Sequence, residues 1–573
     1  MTSQGRPECL DAFIVALNQT CDGGKRRWYA STLELQRVSL AFCGACRCVP
    51  TLHVRVDQQT PRSLWSPRQS HTTASKRSRE VYIVSRVPAV QAFGLTWALP
   101  TEVLLQSPAI ELGSGLAYQR MNGYSSAPSL GSMFWLKKLN WLLLELDTPV
   151  NKTSSLPASL QQLSFGDCFD QPLSEVVWPA FLQQLSFGLH FNQPLDEVAW
   201  PTSLQHLSLG DSFNQPIAKV AWPASLQHLS LGDSFNQPIA EVVWPASLRQ
   251  LSFAWRFNQP IVNFEWPASL QQLSFGYEFN QNIAEVAWPA ALQELSFEHN
   301  FDQPIIDVAW PVSLKQLSFG MAFNQPIEEV VWPASLQELS LRSKFDHPIA
   351  EVVWPASLQQ LSLGGGFNQP IAQAVWPPSL RQLSFGDCFN QPLEEVAWPA
   401  FMQQLSLGVC FNHPIAEVMW PASLQQLSFG HLFDHPLDEV VWPASLQQLS
   451  FGDCFDQPLD EVVWPASLQQ LSFGEGFNQP LDEVVWPASL QQLSLGDCFN
   501  QPVDEHVWPA SLQQLSFGAR FNQPIADIVW PASLQQLSLG DCFNQPLDEV
   551  VWPASLQQLS FGFEFNQPIA DVV

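Results

Sequence analysis

Tryptophan returns every 22 residues, without one insertion, from Trp178 to Trp552. A chain with this period is built from one short unit copied many times, and no single copy can bury its own apolar face. Stability has to come from stacking each copy on the next. Leu156-Pro157 opens a first unit in the same frame and Val573 closes the nineteenth, so the period predicts 19 coils over 156–573. The unit reads WPASLQQLSFGDCFNQPLDEVV. Counted from the tryptophan, the second position is proline, the eighth leucine, the ninth serine and the fourteenth phenylalanine in every copy. The fifth is leucine except at Met402, and the fifteenth is always Asn or Asp.

One copy, Trp464 to Val485, shows what these positions ask for. Leu468, Leu471 and Phe473 follow an LxxLxF spacing whose alternating end, Leu471 in, Ser472 out and Phe473 in, reads as a short strand. Gly474 then turns the chain. The Asn478 side chain is suited to satisfying loose backbone groups. Pro480, with Asp482 and Glu483 behind it, suits a short 3₁₀ or irregular segment. Pro465 pushes Trp464 towards an extended backbone. The expected core set is Trp464, Leu468, Leu471, Phe473, Phe477, Leu481 and Val484.

The residues LxxLxFGxxFNQP(I/L), with Phe-Asn-Gln-Pro-Ile standing literally at 213–217, 235–239 and 257–261, closely resemble the FNIP repeat, a relative of the leucine-rich repeat. The likeness covers 156–573. It implies a mainly β, leucine-rich-repeat-like solenoid of 19 coils with thin, mostly non-helical returns, used in interactions and without a catalytic centre of its own. Tryptophan opens each unit where the family more often has leucine. The asparagine ladder of ordinary leucine-rich repeats does not transfer by spacing, since Asn478 lies ten residues after Leu468 and the ladder residue lies eight after the first leucine of its motif. Just upstream, Leu136, Leu139 and Trp141 mimic LxxLxF, so 134–155 read as a degenerate capping coil. At the other end no atypical unit closes the stack: the last coil ends exposed, pairs end-on, or belongs to a truncated sequence.

Charge divides the chain in two. Of the 25 Lys and Arg, 17 fall in 1–155, whereas 43 of the 53 Asp and Glu fall in 156–573. So acidic a body argues against binding nucleic acid through its phosphates. Residues 1–133 have no period, and stretches such as 56–80 read as poorly structured. Cys43, Cys46, Cys48 and His53 match no common paired zinc knuckle, so they read as incidental thiols and no metal or other cofactor is expected. No apolar run approaches the about 20 residues needed to span a bilayer, and no signal peptide opens the chain. With 11 cysteines, an odd number, an intracellular, cytoplasmic setting is expected.

Three columns of the stack stand out. The twentieth position is acidic in 16 of 19 units, Glu175, Glu197, Glu351, Glu439 and Glu549 among them. It reads either as a solubilising face, placed where the coils splay, or as a lure for a basic partner or divalent cations. Cys168, Cys388, Cys410, Cys454, Cys498 and Cys542 share the thirteenth position, and only Cys388 and Cys410 are on adjacent coils. Free thiols are expected. The twelfth and thirteenth positions vary most. In five successive coils they become Trp255-Arg256, Tyr277-Glu278, His299-Asn300, Met321-Ala322 and Ser343-Lys344, and the preceding glycine gives way to Ala254, Glu298 and Arg342. Trp255, Arg256, Tyr277, Glu278, His299, Asn300, Met321, Arg342 and Lys344 form the candidate partner-binding patch, because Trp, Tyr and Arg dominate binding hot spots. Drift of older copies explains the same pattern.

The expected function is a non-catalytic protein-interaction scaffold. The alternative is a structural protein that assembles end to end through its last coil. No Ser/His/Asp set, phosphate loop or metal triad suggests an enzyme, and the invariant serine of the strand has no fixed histidine partner.

Overall fold

The structure is a computed structural model. It describes residues 156–568, apart from 157, 263 and 505, together with the backbone of five strands further upstream. The chain divides into two compact units, Met1–Trp255 and Arg256–Val573.

In the first unit, β1 (His53–Arg55), β2 (Val81–Ser85) and β3 (Phe93–Trp97) form a small sheet in the order β1-β3-β2. The strands β4 (Arg120–Asn122) and β5 (Trp141–Glu145) precede the repeats. β5 pairs in parallel with β6 (Gln162–Phe165), with Leu142 opposite Leu163 and Leu144 opposite Phe165. That register lies three residues beyond the one the Leu136, Leu139, Trp141 spacing suggested; Leu142 and Leu144 offer the same alternation. Four further strands follow at 22-residue spacing: β7 (Gln184–Ser186), β8 (His206–Ser208), β9 (His228–Leu231) and β10 (Gln250–Phe253). Apart from these strands, the reading of 1–133 as poorly structured lies outside the described residues. So does the side-chain chemistry of Cys43, Cys46, Cys48 and His53.

The second unit carries fourteen strands in the same period, from β11 (Gln272–Phe275) and β12 (Glu294–Phe297) to β24 (Gln558–Ser560). Within each unit neighbouring repeat strands are parallel and pair position on position, as Leu471 does with Leu493. The alternation read from sequence is the one observed: Leu471 is buried between half-exposed Gln470 and Ser472.

Each coil is one strand and three tight turns, and among the described residues there is no helix. The turns are closed by Leu468 N–H to Pro465 O at 3.0 Å, Phe499 N–H to Gly496 O at 3.0 Å, and Val484 N–H to Leu481 O at 3.0 Å. The last of these makes Pro480–Glu483 an irregular segment closed by a single turn, one of the two forms expected there. Proline at the second position suits its turn because only its carbonyl is used. Glycine at the eleventh position answers a close approach: a Cβ on Gly474 would stand 2.4 Å from the carbonyl carbon of Gly452 in the coil before. Where Glu298 replaces it, its N–H bonds Phe275 O at 3.1 Å, so the strand ladder runs on for one more residue before turning.

Seven columns fill the interior. Trp464, Leu468, Leu471, Phe473, Phe477, Leu481 and Val484 are all buried, as the sequence predicted. Phe473 and Phe477 stack within their coil at 4.2 Å, and Phe477 stacks on Phe499 of the next at 6.1 Å. The tryptophans form their own stack, Trp442 on Trp464 at 6.4 Å and 12°. Aromatic pairs at such separations add about 0.5–1.5 kcal/mol each beyond the area they bury. The stack has a cost, because the buried indole N–H of Trp442, Trp464 and most of their counterparts meets no acceptor. Trp486 differs: it donates to Nε2 of His506 at 2.5 Å, a histidine standing at the twenty-first position where other coils carry an apolar residue.

Candidate interaction surface

The variable twelfth and thirteenth positions are the two central residues of the turn that follows each strand. Their backbone joins successive coils whatever side chain stands there. Asn300 N–H donates to Tyr277 O at 2.9 Å, Ala322 N–H to His299 O at 2.7 Å and Lys344 N–H to Met321 O at 3.0 Å. Any residue but proline supplies that N–H and that carbonyl, which leaves the side chains free to differ.

The candidate residues fall in both units, Trp255 in the first and the other eight in the second. Trp255 and Arg256 are exposed, the former by 50%. Tyr277, Glu278, His299 and Asn300 are half-buried, and Met321, Arg342 and Lys344 are exposed. The structure brings Tyr277 and His299 together as stacked rings 4.2 Å apart, and His299 Nδ1 lies 3.0 Å from Asn300 Oδ1. Elsewhere in the column, side chains of adjacent coils also meet. His431 Nδ1 and Asp453 Oδ2 are 2.9 Å apart, and the His431 imidazole together with the Glu475 N–H holds the Asp453 carboxyl below the usual range. Asp211 is pushed upward, by partial burial first and then by Asp233 and Asp167.

The acidic column is exposed, at Glu175, Glu197, Glu351, Glu439 and Glu549 alike. It borders the tryptophan stack, where ring centroids are about 6.4 Å apart, wider than the about 4.8 Å of paired strands. The six cysteines of the thirteenth position are free thiols. Among the described residues no group of three or more His, Cys, Asp or Glu is placed to hold a metal, and no helix is long and apolar enough to cross a membrane.

Three features escaped the sequence reading. The first is a side-chain ladder at the fifteenth and sixteenth positions. Asn192 Oδ1 accepts the backbone N–H of Asn214 at 2.9 Å and the Gln215 amide at 3.2 Å, and Asn214 Oδ1 serves Asn236 in turn. Asn478 likewise reaches the Asn500 N–H of the next coil rather than its own surroundings. A ladder therefore exists, at a spacing other than that of ordinary leucine-rich repeats. Only an acceptor oxygen is needed at the fifteenth position, so Asp serves as well as Asn. Only a donor is needed at the sixteenth, which is why His347, His413 and His435 replace glutamine by donating a ring N–H to the preceding coil's carbonyl. The second is an exposed apolar column: Val441, Val463, Val485 and Val507 are each about three-quarters or more exposed, beside the buried Val440, Val462 and Val484. The third is a groove of about 340 Å³ over the strand face of β6 to β10. A scan of the unit for breaks in its seventh position, Gln to His at 206 and 228, would have pointed to it.

A parallel solenoid of one strand and three turns per 22 residues, with apolar columns inside and a variable turn outside, defines a leucine-rich-repeat-like protein. The FNIP Repeat model matches nine stretches, contiguous over 191–388 and again over 433–542, more than half of the chain. The chain belongs to the FNIP-repeat family. Among solved structures it is similar to CroV588, described as a novel circular LRR protein structure, at 39% identity over 76% of this chain and 74% of that one, with a TM-score of 0.62. A second similarity is to the Toll–Spatzle complex of Drosophila, at 12% identity over 80% of this chain and 68% of that one, with a TM-score of 0.48. No curated protein matches the chain.

Proposed function

We propose that this protein is a non-catalytic scaffold that binds a protein partner through the variable turn positions of its repeat. The observation that carries this reading is the division of labour in the turn. The coil-to-coil bond runs through the backbone, so Tyr277, Glu278, His299, Asn300, Met321, Arg342 and Lys344 are displayed on four successive coils without being needed to hold them. The stacked Tyr277–His299 pair is a rigid, half-exposed aromatic surface of the kind that anchors interfaces. Trp255 and Arg256 extend the same column of the repeat in sequence. Cytoplasmic placement and the absence of nucleic-acid and membrane partners belong to the same proposal, as do residues 134–155 as a capping coil.

The test is affinity capture with the full chain and with a variant carrying Trp255→Ala, Arg256→Ala and Tyr277→Ala. Loss of the captured protein is expected, with unchanged circular dichroism; the same partners on both baits would sink the reading.

A second reading is a structural protein that assembles end to end. Mass measured over a range of concentrations separates the two, since polymers that grow with concentration favour assembly.

A further inference from the structure

The twenty-second position of the unit, just before the tryptophan, stands outside the core. In the second unit it is Met419 and then valine in every coil from Val441 to Val551, each residue about three-quarters or more exposed. Scattered apolar residues on a surface are ordinary, whereas an unbroken row of them marks a place of contact. The coil itself does not ask for valine, since Glu265, Ala287 and Ala397 occupy the same position and are exposed as well. Burial alternates along this stretch: Glu461 is out, Val462 in, Val463 out and Trp464 in. The acidic column therefore shares one outward face with the apolar row. Glu417, Glu439, Glu461, Glu483, Asp527 and Glu549 are exposed along it. Their charge has little to balance it, because Arg520, in the turn after its strand, is the only Lys or Arg from 382 to 573. On the other flank the exposed residues are alanines, as at Ala444, Ala466 and Ala488.

We propose that this face, over 417–551, docks a basic amphipathic α-helix of a protein partner, with its apolar ridge on the valine row and a Lys or Arg edge on the acidic column. It is a surface apart from the variable turn of Tyr277 to Lys344, both along the chain and around the coil. The spacing fits a helix. Beside the row, the rings of Trp442, Trp464 and Trp486 are 6.4 and 6.1 Å apart, and four residues of α-helix rise about 6.0 Å. Residues i, i+4 and i+8 of such a helix meet successive valines. Residues i+1 and i+5 lie about 100° further round, where they face the carboxylates. The ridge turns by about 40° at each step, so one helix engages about three or four coils of the row. An extended strand repeats at about 6.6–6.8 Å every two residues, but its alternate side chains point away from the face and carry its charges with them. A second copy of this chain would set carboxylates against carboxylates, and an anionic lipid surface would be repelled in the same way.

The probe is a fluorescently labelled Leu/Lys peptide of about 16 residues, patterned as an amphipathic helix and titrated with the full chain at about 0.15 M salt, with anisotropy as the readout. One variant carries Val463→Ala, Val485→Ala and Val507→Ala; a second carries Glu461→Gln and Glu483→Gln. Alanine stands at the valine position in other coils, so the first variant keeps the repeat and its circular dichroism should be unchanged. The parent is expected to bind at micromolar concentration and each variant about tenfold or more weaker, with the salt dependence flattened only in the second. Equal affinity in the valine variant would reduce the effect to general charge attraction and overturn the proposal. A scrambled peptide of the same composition that binds as tightly would overturn it too, as would unchanged affinity in the glutamine variant or a parent chain that binds nothing below about 1 mM. Phosphatidylserine vesicles, run in parallel, are expected to stay unbound; valine-dependent binding to them would make the occupant a membrane instead.

Discussion

Two stretches of one coil, two residues apart, behave in opposite ways. Leu189 and His190 occupy the turn positions that change from copy to copy, whereas Asn192 occupies a position that is Asn or Asp in all 19. Both stretches join their coil to its neighbours. His190 does so with its backbone N–H, bonded to Asp167 O at 3.0 Å, and Leu189 with its carbonyl, bonded to the Ser212 N–H at 2.8 Å. Asn192 does so with its side-chain oxygen, which accepts from Asn214 and Gln215. The difference teaches that constancy in this repeat follows whichever atoms make the inter-coil bond. Where the backbone makes it, the side chain is released for other uses.

The sharpest break of that comparison is Asn192→Ala. It leaves the Asn214 N–H and one Gln215 amide bond without their acceptor, and we expect a loss of about 1–3 kcal/mol in urea unfolding, towards the lower end because the site is half-exposed. Asn192→Asp keeps the acceptor and is expected to cost far less.

His506 extends the comparison to a buried column, where a polar side chain replaces an apolar one. Burial lowers its pKa, with opposing contributions from the Leu481 backbone and Asp482. A folded pKa below the unfolded value of about 6.5 means that the unfolded chain binds the extra proton. The stability contributed by neutral His506 is therefore full above that pH and is lost as the pH falls towards the folded pKa. Protonation would also turn Nε2 from an acceptor into a donor facing the Trp486 N–H. Unfolding midpoints measured from pH 7.5 down to about pH 5 should fall more steeply in the parent than in His506→Val, which restores the valine common at this position. Parallel curves would remove His506 as the cause.

The smallest effect is expected where the comparison says side chains are free. His190→Ala should move stability by no more than about 0.5 kcal/mol, because its N–H bond to Asp167 survives the change. A loss as large as that of Asn192→Ala would show that the turn side chains also hold the coils.

The period, the strand at Leu471 and the seven core columns were legible in sequence because each depends on spacing within one unit. The ladder was not, because its partners lie 22 residues apart in sequence and meet only through the register of the stack. A comparison of spacings along the chain, Leu468 to Asn478, could not reveal that Asn478 serves the next coil. Val484 and Val485 illustrate a second limit. Both are apolar and adjacent, yet a turn closed on Val484 N–H puts one inside and the other out. At the candidate surface, sequence identified the variable turn but not the Tyr277–His299 ring stack, which arises from the alignment of neighbouring turns.

The asparagine ladder has a direction: each coil takes hydrogen bonds from the one that follows and gives them to the one before. Within each unit, a seam between coils is thus a plug meeting a matching socket. A whole unit inserted or deleted at any seam restores the same fit on both sides, whereas a fraction of a unit leaves a mismatched joint. Such a chain can change its length in steps, by duplication or loss of complete copies, while the chemistry of every remaining joint stays as it was.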